Sequence, residues 1–428
     1  LFKIPKVSEM TNDETGKPRR REPQIVAGRS GTRMFSINAL LERIEDEFRI
    51  EYGESSDALR EADTPIKRLK LLRDVVEYVL GVESVRLDND AKADLIGRAY
   101  SNLFGYGPLD TLFADERVTT IALLGANHAS ARYGHAELTT LPPLFEDDAH
   151  LRRIIGRLLL DAGAEWDDEM PIIETGLTIG DRPISISIVA PPISHVINVD
   201  IRLHPRQAPT LDDLASNGFM TPETAAWLKT LAASKHGIAI VGDAETGKTT
   251  LLNALLPYIP AGKLASVERA GELRLPPGAA RFVPRWAGEG RASFGEQIGA
   301  ALSSAPDVLL LDEVRADEPT TIAQPLQMDA PPRLIWAVRG VPDAKRLQSA
   351  MGMLARRAAV GQGEALVHAL YDRLPFVLTV ARIQESLRLF SVAEWQSRVD
   401  SDYPDYVMLR RYENGAARPT DNPTARWV

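Results

Sequence analysis

Between residues 35 and 100 the apolar positions recur at three- and four-residue steps. Phe35, Ile37, Leu40, Leu41, Ile44, Phe48 and Ile50 fall on one face, and Leu69, Leu71, Leu72, Val75, Val76, Val79 and Leu80 repeat the pattern. That spacing predicts amphipathic helices, so 35–100 reads as a helical module. The rhythm changes over 101–205. Val118 to Leu124 is a strand-like run closed by the turn signal Gly125-Ala126-Asn127. Leu151 to Leu160 reads as a helix, and Pro183 to Ile188 alternates with period two, as a half-buried strand does. Strands mixed with a helix predict an α+β N-domain that leads out through His204-Pro205-Arg206. From 206 to 395 short, almost wholly apolar runs alternate with helical stretches. Ile238–Val241, Val308–Leu311 and Leu334–Val338 suit strands buried on both faces of a parallel sheet. Thr221-Pro222 is a helix start, with a capping hydroxyl and then proline at the first helical position. The flanks, 1–34 and 396–428, read as tails.

Length and charge narrow the function classes. A chain of 428 residues has room for about three domains. Its 50 Lys and Arg face 59 Asp and Glu, a net charge of −9, which argues against a protein that coats nucleic acid. Cysteine is absent, which excludes disulfides, thiol catalysis and Cys-ligated metals, and suits a reducing, cytoplasmic compartment. The seven histidines (128, 135, 150, 195, 204, 236 and 368) show no metal-ligand spacing and are expected as surface or core residues. No apolar run reaches the ~18–20 residues of a membrane-spanning helix. Lys3, Lys6, Glu9 and Asp13 break the start of the chain too early for the apolar core of a signal peptide. The 1–34 tail carries eight Lys and Arg against four acids, including Arg19-Arg20-Arg21. It suits a solvated arm, or contact with acidic lipid heads or a partner.

The densest chemical signal is Gly242-Asp243-Ala244-Glu245-Thr246-Gly247-Lys248-Thr249, the G-x4-G-K-[ST] pattern of a phosphate loop. A strand-like run ends at Val241 and a helix-like run begins at Thr250, the order the mechanism requires. Backbone N–H groups then point at phosphates from the loop and the helix start. Lys248 can reach the β- and γ-phosphates and Thr249 can ligate Mg²⁺. A glycine-rich turn with a coincidental lysine is the bland alternative. The second signal is Asp312-Glu313 at the end of the apolar run 308–311. There Asp312 would hold Mg²⁺, and Glu313 would orient or deprotonate the attacking water. The bland alternative is a strand ending in solvated charges.

With these boxes in their order, the chain resembles the type II/type IV secretion ATPases, and within them the CpaF branch that powers Tad-type pili. The resemblance runs from about residue 35 to 395. Phe104 to Asp110 is similar to the family's G-x-G-P-L entry to the N-domain, and Val118 to Gly125 to the strand that follows. Pro171 to Arg182 resembles P-x-x-D-x-x-L-x-x-G-x-R, with Glu174 where Asp is usual. Val267 to Leu273 resembles the acidic box IED-x-x-E-L, and Pro306 to Arg315 resembles RPD-x-x-x-x-GEVR. Arg382, Arg388 and Glu394 fall where the C-terminal strands carry R…R…E.

The resemblance implies an α/β RecA-like P-loop ATPase core, preceded by a smaller α+β N-domain and a helical N-terminal module. It implies ATP and Mg²⁺ as cofactors and a hexameric ring that drives pilus assembly or secretion. It also implies a platform protein of the inner membrane, with the ring peripheral at the cytoplasmic face and no nucleic acid bound. The nucleotide cradle would be Gly242 to Thr249 with Thr250. Glu268 and Glu272 would join Thr249 and Asp312 in supporting the metal and its water. Arg182 and Arg202 are candidates to reach the γ-phosphate beside the catalytic pair Lys248 and Glu313.

The departures from the family pattern gather near the γ-phosphate. Its histidine box corresponds to Met328–Gly340, where Ala330 and Val338 occupy the histidine positions. Neither can donate a side-chain hydrogen bond. Ser303, Ser304 and Ala305 replace the arginines before Pro306, Arg269 replaces an acid, and Glu245 replaces a loop glycine. Three readings stay open: an active secretion or pilus motor, a degenerate nucleotide-binding ring subunit that regulates or scaffolds an active paralogue, and another P-loop ATPase such as a nucleic-acid motor.

Overall fold

The computed structural model describes residues 25–27, 34–53, 56–134, 136–167, 171–260, 262–286, 291–341, 343–384, 386–398 and 403–426. The chain forms two compact units, residues 1–161 with 188–200, and residues 162–187 with 201–428. These units cut across the 101–205 segment read from sequence. The basic tail over 1–34 lies outside the described residues, apart from the backbone of two short stretches.

The first unit opens with β1 (Ile25–Ala27) paired antiparallel to β2 (Met34–Ser36). Helices α1 (Ile37–Tyr52), α2 (Asp57–Glu61), α3 (Pro65–Val82), α4 (Asn89–Phe104) and α5 (Leu109–Ala114) follow. The Ser36 hydroxyl caps α1 by accepting from Ala39 N–H, and Thr64 with Pro65 starts α3. Most of the periodic positions become a core: Leu40, Ile44, Phe48, Leu72, Val75, Val76 and Val79 are buried, joined by Leu95, whereas Ile50 is exposed. Next come β3 (Val118–Leu124), β4 (His128–Tyr133), β5 (Thr139–Leu141) and α6 (Asp148–Asp161), with β3–β4 and β4–β5 antiparallel. A six-stranded sheet has the order β5-β4-β3-β8-β7-β6, in which β6 (Ile172–Ile179) and most of β7 (Arg182–Val189) fall in the second unit and β8 (Asn198–Leu203) is divided between the two.

The second unit is built on a nine-stranded sheet. Its elements are α7 (Leu211–Ser216), α8 (Pro222–Ala233), β9 (Ile238–Gly242), α9 (Lys248–Leu255), β10 (Leu264–Glu268) and β11 (Ala280–Phe282). They continue with α10 (Phe294–Ser303), β12 (Val308–Val314), α11 (Ala323–Gln327), β13 (Arg333–Arg339), α12 (Ala344–Ala358) and α13 (Gly363–Arg373). Last come β14 (Phe376–Ile383), β15 (Ser386–Gln396), β16 (Asp405–Glu413) and β17 (Ala416–Pro419). The strand order is β11-β10-β12-β13-β9-β14-β15-β16-β17, parallel from β11 to β14 and antiparallel beyond. This is the α/β architecture expected of the P-loop core.

The apolar runs explain the layering. Alternate residues of one strand enter different cores. Ala239, Val241, Leu309, Leu311, Leu334 and Trp336 pack on one face with α10 to α13, while Ile238, Ile240, Val308, Leu310 and Ile335 pack on the other with α7 to α9. A strand covered on both faces has no use for polar alternation, so its sequence reads as one apolar block. Each fully buried Ile, Leu or Val contributes roughly 1.5–3 kcal/mol.

The 396–428 tail is corrected by the structure, because 405–413 and 416–419 are strands of the sheet. Glu394 holds this end down from a fully buried position on β15. Its carboxylate accepts from Ala425 N–H and Thr424 Oγ1 at 2.9 Å, and pairs with Arg426 at 3.0 Å. Two strands of modest hydrophobicity were illegible alone because their partners, not their pattern, decide their state. Glu394→Ala is expected to cost ~3 kcal/mol in urea unfolding, since it strands a guanidinium and two donors. Limited proteolysis should then cut first after β15.

Candidate functional site

Within the second unit, β13 lies between β9 and β12. All three run parallel, so the loop after β9 and the acids ending β12 emerge at the same sheet edge. Gly242 closes β9 where a Cβ would fall within 2.7 Å of Val380 O and closer still to Thr246 Oγ1. Gly247 turns the chain into α9 at φ +91°. Glu245 adopts φ +56°, a left-handed conformation that costs an L residue roughly 1–2 kcal/mol. Inside the loop, Asp243 O accepts from Thr246 Oγ1 at 2.8 Å and from Lys248 Nζ at 2.7 Å. Ala244 N–H donates to Asp243 Oδ1 at 2.8 Å.

Residues from the two sequence motifs meet. Lys248 is buried and its Nζ lies 2.9 Å from Glu313 Oε2. Thr249 Oγ1 donates to Asp312 Oδ2 at 3.1 Å. Glu268 stands in register with Asp312 on the adjacent strand. Glu272 lies 3.4 Å from His204 Nε2, and Thr249, Thr250, Asn253 and Arg274 share the cleft between them.

The four carboxylates differ in their surroundings. Burial, and then the charges of Glu272, Glu268 and Glu313, push Asp312 well above the ordinary carboxylate range against the pull of Lys248. Burial likewise raises Glu268, despite Arg281 and Ser266. Burial would also raise Glu313, but Lys248 and then Arg315 outweigh it and bring it down. For Glu272, burial is outweighed by His204, Ser185 and Arg202, which bring its pKa to about 2.

A divalent cation would relieve the crowding around Asp312, and a threonine hydroxyl with a carboxylate oxygen is hard-donor chemistry that suits Mg²⁺. Thr249 and Asp312 fit that task. Glu268, expected with Glu272 to support the metal and its water, has both carboxylate oxygens engaged within the chain. Its Oε1 accepts from Ser266 Oγ at 2.6 Å and Arg281 Nε at 3.0 Å, and its Oε2 from Leu273 N–H at 2.8 Å. It latches the chain after β10. Among the described residues no group of three or more His, Asp and Glu is set to hold a metal by itself.

The two candidate arginines separate. Arg202 reaches the loop, with Nε 3.6 Å from Glu245 Oε1. Arg182 is buried on β7 and donates from Nε to His204 O at 3.1 Å, so it braces the segment just past Arg202. Sequence reasoning gave no site role to Glu174, Arg269, Arg315 or His204. Arg315 grips Glu174 with both Nη atoms at 2.8 and 2.9 Å, and its Nε is 3.3 Å from Glu313 Oε1. Arg269 lies 2.8 Å from Glu318 and 3.6 Å from Glu174, and its Nε donates to Glu313 O at 3.0 Å. Three of the four stood inside the quoted boxes, where their mutual pairing was the missing signal. His204 carried none beyond its place in a linker. Arg269, Trp286, Phe294 and Glu318 also border a cavity of about 950 Å³, which no residue of the 242–249 loop lines.

Residues 143–327 match the protein family described as Type II/IV secretion system protein. The match spans 185 of the 428 residues, so the likeness to that family is one of this segment. The matched stretch holds Glu174, Arg202, the phosphate loop, Asp312 and Glu313. The type IV secretion system protein VirB11 of Brucella suis biovar 1 is 26% identical over 255 residues, covering 52% of this chain and 69% of that protein. The conjugal transfer protein TrbB of Rhizobium radiobacter is 28% identical over 166 residues, 38% of this chain and 50% of that one. The chain spans 64% of the length of a conjugal transfer relative from Mycobacterium tuberculosis and 43% of an uncharacterized protein from Methanocaldococcus jannaschii. Among solved structures, the pilus retraction motor PilT with bound ADP aligns at TM-score 0.47 and 16% identity, over 67% of this chain and 81% of that one. The Brucella suis VirB11 ATPase in complex with sulphate aligns at 0.33 and 20%, over 67% and 95%.

The Glu174–Arg315 pair supports Glu313 from behind. Arg315→Ala is expected to cost ~2 kcal/mol in denaturant unfolding, because it leaves Glu174 half-buried beside fewer cations. Arg315→Lys should recover less than half of that, since lysine cannot make the two-pronged contact.

Proposed function

We propose that this chain is a nucleotide-binding motor subunit of a secretion or pilus system, one that couples ATP binding and hydrolysis in a hexameric ring to pilus assembly or protein export. One observation carries the reading: Lys248 and Thr249 of one motif contact Glu313 and Asp312 of the other at 2.9 and 3.1 Å. Relatives named for conjugal transfer and type IV secretion support an export task. The sequence boxes favour the CpaF, Tad-pilus branch. A platform protein of the inner membrane would be the ring's partner, with the ring peripheral at the cytoplasmic face. No described helix is long and apolar enough to cross a membrane.

The chemistry follows from the residues. Lys248 would pair with the β- and γ-phosphates and leave Glu313, whose carboxylate is then available to accept a proton from the attacking water. Arg315, fixed on Glu174, holds Glu313 in place during that exchange. Thr249 and Asp312 would hold Mg²⁺, which neutralises phosphate charge when bound. Arg202 brings a guanidinium to the loop from β8.

A second reading has its own observation. Val338 is buried on β13 in register with Val241, and Ala330 holds the other position where the resemblance places a histidine. On that reading the chain binds nucleotide, turns it over slowly and scaffolds an active paralogue.

Steady-state hydrolysis separates the two. For the motor, Lys248→Ala should lose nucleotide binding about a hundredfold, while Glu313→Gln should keep binding and lose turnover by roughly 10²–10⁴. Chelating Mg²⁺ should abolish turnover. A wild-type rate no higher than that of Glu313→Gln would establish the scaffold reading, and calorimetry that detects no adenine nucleotide binding would overturn both.

A further inference from the structure

The loop carries an acid at the place where bound phosphate would least tolerate one. Glu245 lies midway between Gly242 and Lys248 and keeps a left-handed backbone that glycine would adopt freely. Its side chain reaches Arg202 on β8, with 3.6 Å between Oε1 and Nε. Its backbone carbonyl accepts from Arg382 Nη2 at 3.5 Å. Arg202 is about 40% exposed and close enough to Glu272 to help hold that acid ionised. Lys248 repeats the arrangement, because its ammonium pairs with Glu313. Two cations beside the loop therefore already face a carboxylate of the chain itself.

We propose that Glu245 is an internal stand-in for phosphate, which occupies Arg202 in the unliganded chain and sets nucleotide affinity by competing for that guanidinium. The proposal rests on the nucleotide reading above and deepens it. A guanidinium makes stronger, two-pronged hydrogen bonds to phosphate than to a single carboxylate oxygen, so an entering triphosphate can take it. Glu245, parted from Arg202 and still near the phosphates, then opposes binding through charge repulsion. The resulting penalty favours release of nucleotide. Because both side chains are partly exposed, the effect must weaken with salt.

The test is titration calorimetry of Mg-ATPγS into the full chain and its Glu245→Gln, Arg202→Gln and doubly substituted variants, at low and at high salt. Glu245→Gln should bind about five- to tenfold more tightly than wild type at low salt, and the gain should shrink at high salt. In the Arg202→Gln background the gain should fall to about twofold, since no guanidinium remains to be released. Glu245→Gly, which also relieves the left-handed backbone, should gain at least as much as Glu245→Gln. An unchanged affinity in both Glu245 variants, or an equal gain with and without Arg202, overturns the proposal while leaving the nucleotide reading intact. Absence of binding in wild type and every variant overturns the nucleotide reading and this inference with it.

Discussion

The candidate site depends on one ion pair, Lys248 to Glu313, and on the sheet that makes it possible. The two residues are far apart in sequence. They meet because β9, β13 and β12 are parallel neighbours whose C-terminal ends lie at one edge. Parallel strands need helical crossovers, the crossovers cover both faces, and that cover requires the unbroken apolar runs of 238–241, 308–311 and 334–338. The same cover takes water away from Lys248, so its ammonium is worth more to any anion that reaches it. Core packing and site electrostatics are thus one arrangement, in which a slip of β12 by one residue would turn Asp312 and Glu313 to opposite faces.

Much of this could be read before any coordinates. The phosphate loop, its flanking strand and helix, the acids at 312 and 313 and the helical rhythm of 37–52 and 65–82 all follow local rules of spacing. What sequence could not supply was long-range pairing. Arg315 and Glu174 were visible as members of two separate boxes, yet nothing in either box says that a guanidinium from one grips a carboxylate from the other. Glu268 was assigned to the metal by its place in an acidic box, while its orientation depends on Arg281 and on the Leu273 N–H, which no spacing rule reaches. Strands β16 and β17 failed for the same reason, because an edge meander takes its state from the neighbour that it pairs with.

Glu174 and Arg269 were noted separately as departures from the family pattern, and the fold brings them within 3.6 Å of each other. An acid at 269 would stand beside Glu174 and Glu318 with only Arg315 to balance three carboxylates. Arginine at 269 removes that repulsion and fixes Glu313 by its backbone carbonyl as well. Arg269 and Arg315 together place two permanent cations behind Glu313.

That redistribution bears on the proposed nucleotide site. Ala330 and Val338 offer no side-chain donor, and four cations of the candidate site are paired within the chain: Lys248 with Glu313, Arg202 with Glu245, Arg315 with Glu174 and Arg269 with Glu318. A site balanced in this way is stable when empty. On the proposed reading, nucleotide would have to displace internal anions, and the free energy of binding would be reduced by each pair that it separates. Weak ground-state binding does not by itself slow hydrolysis, because only interactions that strengthen in the transition state accelerate it. On the proposed reading, turnover would depend on whether Arg202 and Lys248, once parted from Glu245 and Glu313, engage a transferring phosphoryl group more strongly than they engage the bound nucleotide.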